Sequence, residues 1–414
     1  MRPNSQDEQS SDSSTSSSAA AYPGEDTRPT SRKELLGFYT YSFAAEVFVV
    51  CGLGAFIPIT LEDLARASPT AVRADDHSKA CNSHPHGIDL YDLRDARTGL
   101  GTFAMYTFSI SVLLQAIVVV TMSGAADHGR YRKIFLVAFA LTGSIATMLF
   151  LPVTPAVYWL GSLWAMVGNV SIGASFVLLN SFLPLLVRRH PAVQLTSDRG
   201  EVRTSHESWA GHEQQTSDEH SDRDVADDTT PLLQAAEQTT TPYPPSAAAP
   251  SPQMQLSTRI SSYGVGIGYI ASIMVQFLSV FILRTTGGSL FSLRLVLFAI
   301  GLWWLSFMIP AAIWLRPRPG PPLALGHGTK KLSWSGYIAY SWVNLGKTVA
   351  RARRLKDVLL FLGAWFLVSD AIATVSGTAI LFAKTTLGME SSALALINVM
   401  VTLSGIAGAF TWSK

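Results

Sequence analysis

Charged side chains are scarce in this chain: they make up 14% of its 414 residues, against 48% hydrophobic ones. Soluble globular domains carry about a quarter charged residues, so the balance argues against a soluble fold. Cysteine is also rare: Cys51 and Cys81 stand in unlike surroundings, which leaves no disulfide framework or CxxC site. The N-terminus lacks a basic segment followed by an apolar one, and we therefore expect no cleavable signal peptide.

Sequence patterns of catalysis are missing as well. We find no GxSxG elbow, HExxH, P-loop or paired HxxH spacing, and we predict a protein that is not an enzyme and needs no cofactor and no nucleic acid. Gly264, Gly266 and Gly268 stand inside an apolar run, where we interpret them as small residues for close helix packing. One group of metal-binding side chains is better explained as an untethered polar loop, so no metal site is predicted. The group comprises Asp75, Asp76, His77, Cys81, His84 and His86.

Long apolar runs are what the chain has instead. Eight stretches contain 18 or more mostly apolar residues. A bilayer core of about 30 Å is crossed by about 20 helical residues. Because lipid offers no hydrogen-bond partners, the backbone N–H and C=O groups in it must bond to one another, as they do in a helix. The predicted fold class is therefore all-α, a polytopic membrane helix bundle. The predicted spans are 41–61, 103–122, 134–151, 157–182, 262–283, 290–315, 358–382 and 393–412.

Lysine and arginine alternate between the loops on the two sides of the predicted bundle. They precede the first span, link the second to the third, follow the fourth and are dense in segment 316–356. The positive-inside rule then predicts a cytoplasmic N-terminus. The loop 62–102 carries five basic residues, but seven acidic ones accompany them, and we assign it to the lumen.

The polar segments divide the chain into units. Segments 1–31 and 188–258 are too poor in apolar residues to bury a core, so both are predicted to be disordered and cytoplasmic. Spans one to four occupy 32–187, spans five and six 259–315, and spans seven and eight 357–414. The connector 316–356 contains apolar residues at helical spacing followed by basic ones, typical of an interfacial amphipathic helix. The apolar positions include Trp334, Tyr337, Ile338, Trp342, Leu345 and Val349.

An acidic-dileucine hexamer lies in the predicted linker, with Asp228 followed by Leu232 and Leu233. Sorting adaptors of the clathrin type bind such a segment when it is extended. An apolar pocket of the adaptor takes the leucines, and a basic pocket takes the acid. As a sorting signal it would direct the protein to a lysosome-like or vacuolar membrane. A linker of this length can also hold such a hexamer by chance.

Two acids lie inside predicted spans, Glu46 in the first and Asp370 in the seventh. Intramembrane charges are costly and usually functional, although each acid could instead hydrogen-bond at the cytoplasmic interface. Small residues follow both acids at the same two offsets, so the helices resemble copies. A repeat six helices apart with like orientation is typical of transporters built from two parallel six-helix halves. The small residues are Gly52, Gly54, Ser376 and Thr378.

The turn after the second span is predicted to be a cytoplasmic gate. It partly matches the pattern Gly-x-x-x-Asp-Arg-x-Gly-Arg-Arg/Lys of the major facilitator superfamily, with Ser123 at the leading glycine and His128 at the first arginine. An aspartate followed by basic residues in a tight turn can form an ion-pair latch. The charged members are Asp127, Arg130, Arg132 and Lys133.

Several segments together resemble the autophagy-related protein twenty-two family of fungal vacuolar amino-acid effluxers, a branch of the major facilitator superfamily. They are YSFAAE at 41–46, IP at 57–58, ADHGRYRK at 126–133, SSYGVGIGY at 261–269, WFLVSD at 365–370 and FAK at 382–384. The resemblance implies a multi-pass protein of the vacuolar membrane that releases amino acids to the cytosol after autophagic breakdown. It also implies a major-facilitator-type fold of twelve helices. Eight spans are present, so we expect the C-terminal half to be truncated.

The leading functional hypothesis is a secondary amino-acid transporter with a midplane cavity bordered by the first, fourth, fifth and seventh spans. Glu46 or Asp370 would accept the substrate ammonium group or a coupling proton, and Asn169, Asn180 or a helix end would help to bind the carboxylate. The alternative is a truncated, non-transporting membrane protein that acts in binding or regulation through its cytoplasmic linker.

Overall fold

The computed structural model describes residues 25–69, 100–128, 131–194, 251–320, 334–353 and 355–412, and the regular elements in them are helices. The predicted fold class, an all-α polytopic membrane bundle, is confirmed. The α-helices are α1 Arg32–Val47, α2 Ile57–Arg66, α3 Leu100–Asp127, α4 Tyr131–Met148, α5 Tyr158–Arg188, α6 Pro252–Thr285, α7 Leu290–Trp314, α8 Trp334–Ala352, α9 Lys356–Thr385 and α10 Ser391–Trp412.

Six helical stretches in the described residues are long and apolar enough to cross a membrane. The other two predicted spans, 134–151 and 393–412, are helical too. They correspond to α4, which already ends at Met148, and to α10, whose apolar part is the shorter stretch Leu396–Thr411. The number of eight spans therefore stays a prediction. The six stretches are Arg32–Arg66, Phe103–Gly124, Pro155–Arg188, Pro252–Thr285, Leu290–Trp314 and Lys356–Ala379.

The first span is one continuous helix, and its middle segment is wound more widely than an α-helix. Between α1 and α2 the segment Phe48–Phe56 forms a π-helix, in which the N–H of Ile57 donates to the carbonyl of Gly52, five residues back. Pro58 lies in the first turn of α2 and has no N–H to donate to the residue four positions earlier, which favours the wider spacing. π-Helical turns are rare and concentrate at functional sites.

The first span lies at the centre of the bundle. α1 packs against α6 on one side and α7 on the other, while α4 packs against α5 and α7, and α3 against α5. A Cβ added at Gly268 would lie 2.6 Å from Cβ of Glu46, and one added at Gly266 would lie 2.8 Å from the ring of Phe410 on α10. The prediction that these glycines serve close helix packing is confirmed, because a larger residue would push the helices apart.

The basic residues of the helix ends meet at one end of the bundle. There α1, α4 and α6 begin and α3, α5 and α7 end, and we call it the basic end. The helix α6 begins at Pro252, ahead of the predicted span and inside the predicted linker 188–258, and Ser251 caps it by accepting from the N–H of Met254. The rest of that linker (195–250), the loop 70–99 and residues 1–24 lie outside the described residues.

The last two helices lie at the edge of the bundle. α10 packs along α6 and touches the π-helical segment, whereas the apolar window of α9 is exposed throughout. An exposed apolar helix of this length suits a lipid environment or a further helix layer. A few residues of α9 approach the π-helical segment, and the predicted cavity bordered by the seventh span stays a prediction.

Candidate functional site

Glu46 is the buried acid of the first span. Its side chain faces Gly268 of α6, and the residue is 7% exposed. Among the described residues no group donates a hydrogen bond to its carboxyl group and no cation pairs with it. A carboxyl group buried in this way is suited to take up a proton or an ammonium group.

Polar side chains of α6 and α10 form a seam beside the π-helical segment. Gln276 Nε2 donates to Thr402 Oγ1 at 3.3 Å, and Asn398 Nδ2 donates to the carbonyl oxygen of Val50 at 3.0 Å. We call Gln276, Asn398 and Thr402 the polar seam. The side-chain oxygen of Gln276 is buried and accepts no hydrogen bond from the described residues. An acceptor left unpaired inside a protein costs about 1 to 3 kcal/mol, which a bound donor would remove.

The other predicted substrate-binding residues are not brought to one place. Asp370 lies on an exposed part of α9, and Asn180 is exposed on α5. Asn169 is buried, but its amide donates to Ser111 Oγ at 2.6 Å and so ties α5 to α3. Of the four predicted residues the structure buries only Glu46 and Asn169, and of these two only Glu46 has a side chain without a hydrogen-bond partner among the described residues. The roles assigned to all four stay predictions.

The predicted gate lies at the basic end, between α3 and α4. Asp127 is exposed at the end of α3, and a Cβ added at Gly320 would overlap its carbonyl oxygen, so the segment after α7 passes close to this residue. Arg132 is buried with its guanidinium 5.6 Å from the ring centroid of Phe182, and Lys133 is half-buried. Arg130 lies outside the described residues. The helices α3, α4 and α5 and the connector meet at this turn, and the role of its charged residues as an ion-pair latch stays a prediction.

The helix α8 docks on this turn. The hydroxyl of Ser341 accepts a hydrogen bond from the N–H of Gly124 at 2.9 Å, and the Tyr340 hydroxyl lies 3.4 Å from Nε2 of His128. A Cβ at Gly124 would come within 2.5 Å of the Ser341 oxygen, so the contact depends on a glycine. His128, which stands where the superfamily pattern has arginine, is thus a contact residue for the connector helix.

Residues 25–31, the N-terminal strap, bind the end of α5. The N–H of Thr30 donates to the carbonyl of Arg189 at 2.8 Å, and its hydroxyl donates to the carbonyl of Leu186 at 2.9 Å. Glu25 pairs with Arg188 and with Arg189. These contacts join the strap to a helix more than 150 residues further along the chain.

A buried ion pair continues from the strap to the segment after α7. Arg318 donates from Nε and Nη2 to the two carboxylate oxygens of Glu34 at 2.7 and 2.8 Å, and the side chains are 4% and 0% exposed. Arg318 also lies within 3.5 Å of the carbonyls of Asp26 and Arg28. A hydrogen bond from the Arg28 side chain holds the pKa of Asp26 down at about 2. The strap, α1, α5 and the end of α7 are therefore held together as one unit.

Sequence reasoning did not identify the polar seam or the buried pair. Gln276 and Asn398 are polar residues inside apolar runs, a signal that could have marked them. Glu34 carried no such signal, since an acid three residues after Ser31 indicates an ordinary helix cap, and Ser31 does accept from the N–H of Glu34. The dileucine residues Leu232 and Leu233, with Asp228, lie outside the described residues.

Comparison with known proteins identifies relatives along most of the chain. Residues 30–414 match the family model described as "Vacuole effluxer Atg22 like". Autophagy-related protein 22-1 of Penicillium rubens is 51% identical over 95% of this chain and 69% of its own length. Autophagy-related protein 22 of Botryotinia fuckeliana is 53% identical over 95% of this chain and 62% of its own length. The chain thus spans about two thirds of these relatives. No solved structure matches it.

Proposed function

Because the chain belongs to the family of vacuole effluxers like Atg22, we propose that it is a secondary transporter that exports amino acids from the vacuole lumen to the cytosol. In this role it would support recycling after autophagy. The observation that carries the proposal is Glu46, a buried carboxyl group without a partner among the described residues, placed beside a π-helical turn. The proposal includes a cytoplasmic N-terminus, in keeping with the basic residues at that end of the bundle.

The arrangement supports alternating access between a rigid unit and a moving one. The Glu34–Arg318 pair and the N-terminal strap hold α1, α5 and the end of α7 together. By contrast, α10 is hydrogen-bonded to the first span once, from Asn398 to Val50, and to α6 once, from Gln276 to Thr402. Because such bonds contribute only about 0.5 to 1.5 kcal/mol each, they can break and reform as the two units rock against each other.

A zwitterionic substrate needs acceptors for its ammonium group and donors for its carboxylate. Glu46 and the unpaired oxygen of Gln276 supply acceptors on facing helices, α1 and α6. Glu46 faces Gly268, and Gln276 lies eight residues, about 12 Å, further along α6, so the ammonium group would bind at one of these acceptors and not at both. Glu46 could alternatively carry the coupling proton, and the pH dependence of efflux separates the two roles.

Purified chain in lipid vesicles loaded with labelled amino acids tests this function. We expect release above that of empty vesicles, with a dependence on the pH gradient. The control is the same protein with Glu46→Gln, which keeps the shape of the buried side chain but removes its charge. Folded protein that releases nothing would favour the alternative, a membrane protein that acts in binding or regulation through its linker.

We further propose that the acidic-dileucine hexamer is the vacuolar sorting signal. Leu232→Ala with Leu233→Ala is expected to divert most of the protein to other membranes, since an adaptor pocket would lose both apolar anchors. Fluorescence microscopy of the tagged protein measures the distribution, and Leu195→Ala with Val202→Ala, in the same predicted linker, provides a control outside the hexamer. If the double variant stayed at the vacuole, the hexamer would be ordinary linker sequence.

A further inference from the structure

The connector helix α8 carries an apolar stripe that the described residues leave uncovered. Ile338, Trp342, Leu345 and Val349 follow one another at spacings of four, three and four residues, so they share one face of the helix. Their exposed fractions are 40%, 45%, 39% and 50%. Such a stripe on a helix at the basic end is suited to lie in the boundary between headgroups and acyl chains.

The charge of α8 has one sign. Lys347, Arg351 and the following Arg353 are exposed, and the segment 334–353 contains no aspartate or glutamate. Lys347 and Arg351 lie on the side of the helix away from the stripe, where long basic side chains can reach phosphate groups while the stripe enters the bilayer. A surface that combines an apolar stripe with unopposed cations is complementary to anionic phospholipid.

Two neighbouring side chains of α8 contact the turn between α3 and α4, and one of them, Tyr340, lies on the same side of the helix as Lys347 and Arg351. Ser341 binds the N–H of Gly124, and Tyr340 lies against His128 with the ring centroids 5.5 Å apart. A lipid contact that holds α8 at the membrane surface therefore also positions the two side chains that contact this turn. A loose α8 would leave the turn without these contacts.

We propose that α8 binds anionic phospholipids of the leaflet at the basic end and thereby orders the end of α3 at residues 124–128. The lipid contact does not depend on transport, and its effect on efflux rests on the proposed function. The occupant is the bilayer itself rather than a protein partner, because the stripe and the cations lie on a helix that joins two spans and so stays at the membrane surface.

Hydrogen–deuterium exchange of the whole chain tests the lipid contact. The protein is reconstituted in phosphatidylcholine vesicles and in vesicles with about a third phosphatidylserine, and exchange is followed in peptides from 334–353 and from the end of α3. We expect slower exchange in the anionic vesicles for both segments. High salt should remove most of the difference, because it screens charges at a surface. Equal exchange in both vesicle types would overturn the proposal.

Variants separate the parts of the contact. Lys347→Gln with Arg351→Gln and Arg353→Gln should abolish the effect of anionic lipid, with about a fivefold weakening for each cation removed. Arg284→Gln, an exposed cation at the opposite end of α6, is the matched control and should leave it intact. Ser341→Ala should keep α8 protected but speed exchange at Gly124. An unchanged lipid effect in the triple variant would contradict the proposal, whereas loss of efflux alone would bear only on the proposed function.

Discussion

Glu46→Gln is expected to abolish or uncouple amino-acid efflux while the protein still folds and reaches its membrane. Glutamine keeps the shape of the side chain but can neither carry a proton nor offer a negative charge to an ammonium group. The loss should be about tenfold or more, the factor that about 1.4 kcal/mol of lost interaction produces. Stability should stay equal or rise, because a buried carboxyl group without a partner among the described residues is replaced by a neutral amide. Release from isolated vacuoles across a pH series, at matched expression, measures both effects.

Glu62→Gln is the matched control for this variant. Glu62 lies in the same span and is also buried, but it pairs with Arg66 at 2.7 Å, so the same chemical change should leave efflux intact.

The substitution Asp370→Asn tests the second acid. We expect it to reduce efflux in the same way if the two helices are functional repeats. Release and pH dependence like those of the unaltered protein in Glu46→Gln would remove this acid from the transport site.

Arg318→Ala is expected to cause the largest loss of stability, about 3 to 5 kcal/mol, because it leaves the fully buried carboxylate of Glu34 without its partner. The same change removes the contacts of Arg318 with the carbonyls of the N-terminal strap. Thermal unfolding of the protein in detergent measures the loss as a lower midpoint. Proteolysis near residue 25 should become faster, since the strap loses one of its two anchors.

Two further variants test whether the pair itself is responsible. Glu34→Leu with Arg318→Leu removes both charges and should recover much of the stability, since apolar residues can replace a buried pair at little cost. Arg28→Ala removes an exposed member of the Asp26 pair and should leave the unfolding midpoint unchanged. An unchanged midpoint in Arg318→Ala would show that the pair does not hold the basic end together.

The sequence by itself determined the class of the protein and the places of most helices. Lipid offers no hydrogen-bond partners, so an apolar run of sufficient length has few options other than a helix, and this makes composition decisive. The same reasoning located Glu46 and explained Gly264, Gly266 and Gly268, whose small size matters to any neighbouring helix. The start of α6 at Pro252 was missed because a helix can extend beyond the bilayer without any apolar signal.

Only the tertiary structure decided which polar groups meet. Glu34 has the local signature of a capping residue, yet its carboxylate binds Arg318, 284 positions away. Gln276 and Thr402 are 126 positions apart, and their contact depends on how α6 and α10 lie together. Two intramembrane acids in matching helices looked alike in sequence, but packing buries Glu46 and leaves Asp370 exposed. Local periodicity tells which face of a helix is apolar, whereas the partner of a polar side chain is set by helices that are distant in sequence and adjacent in space.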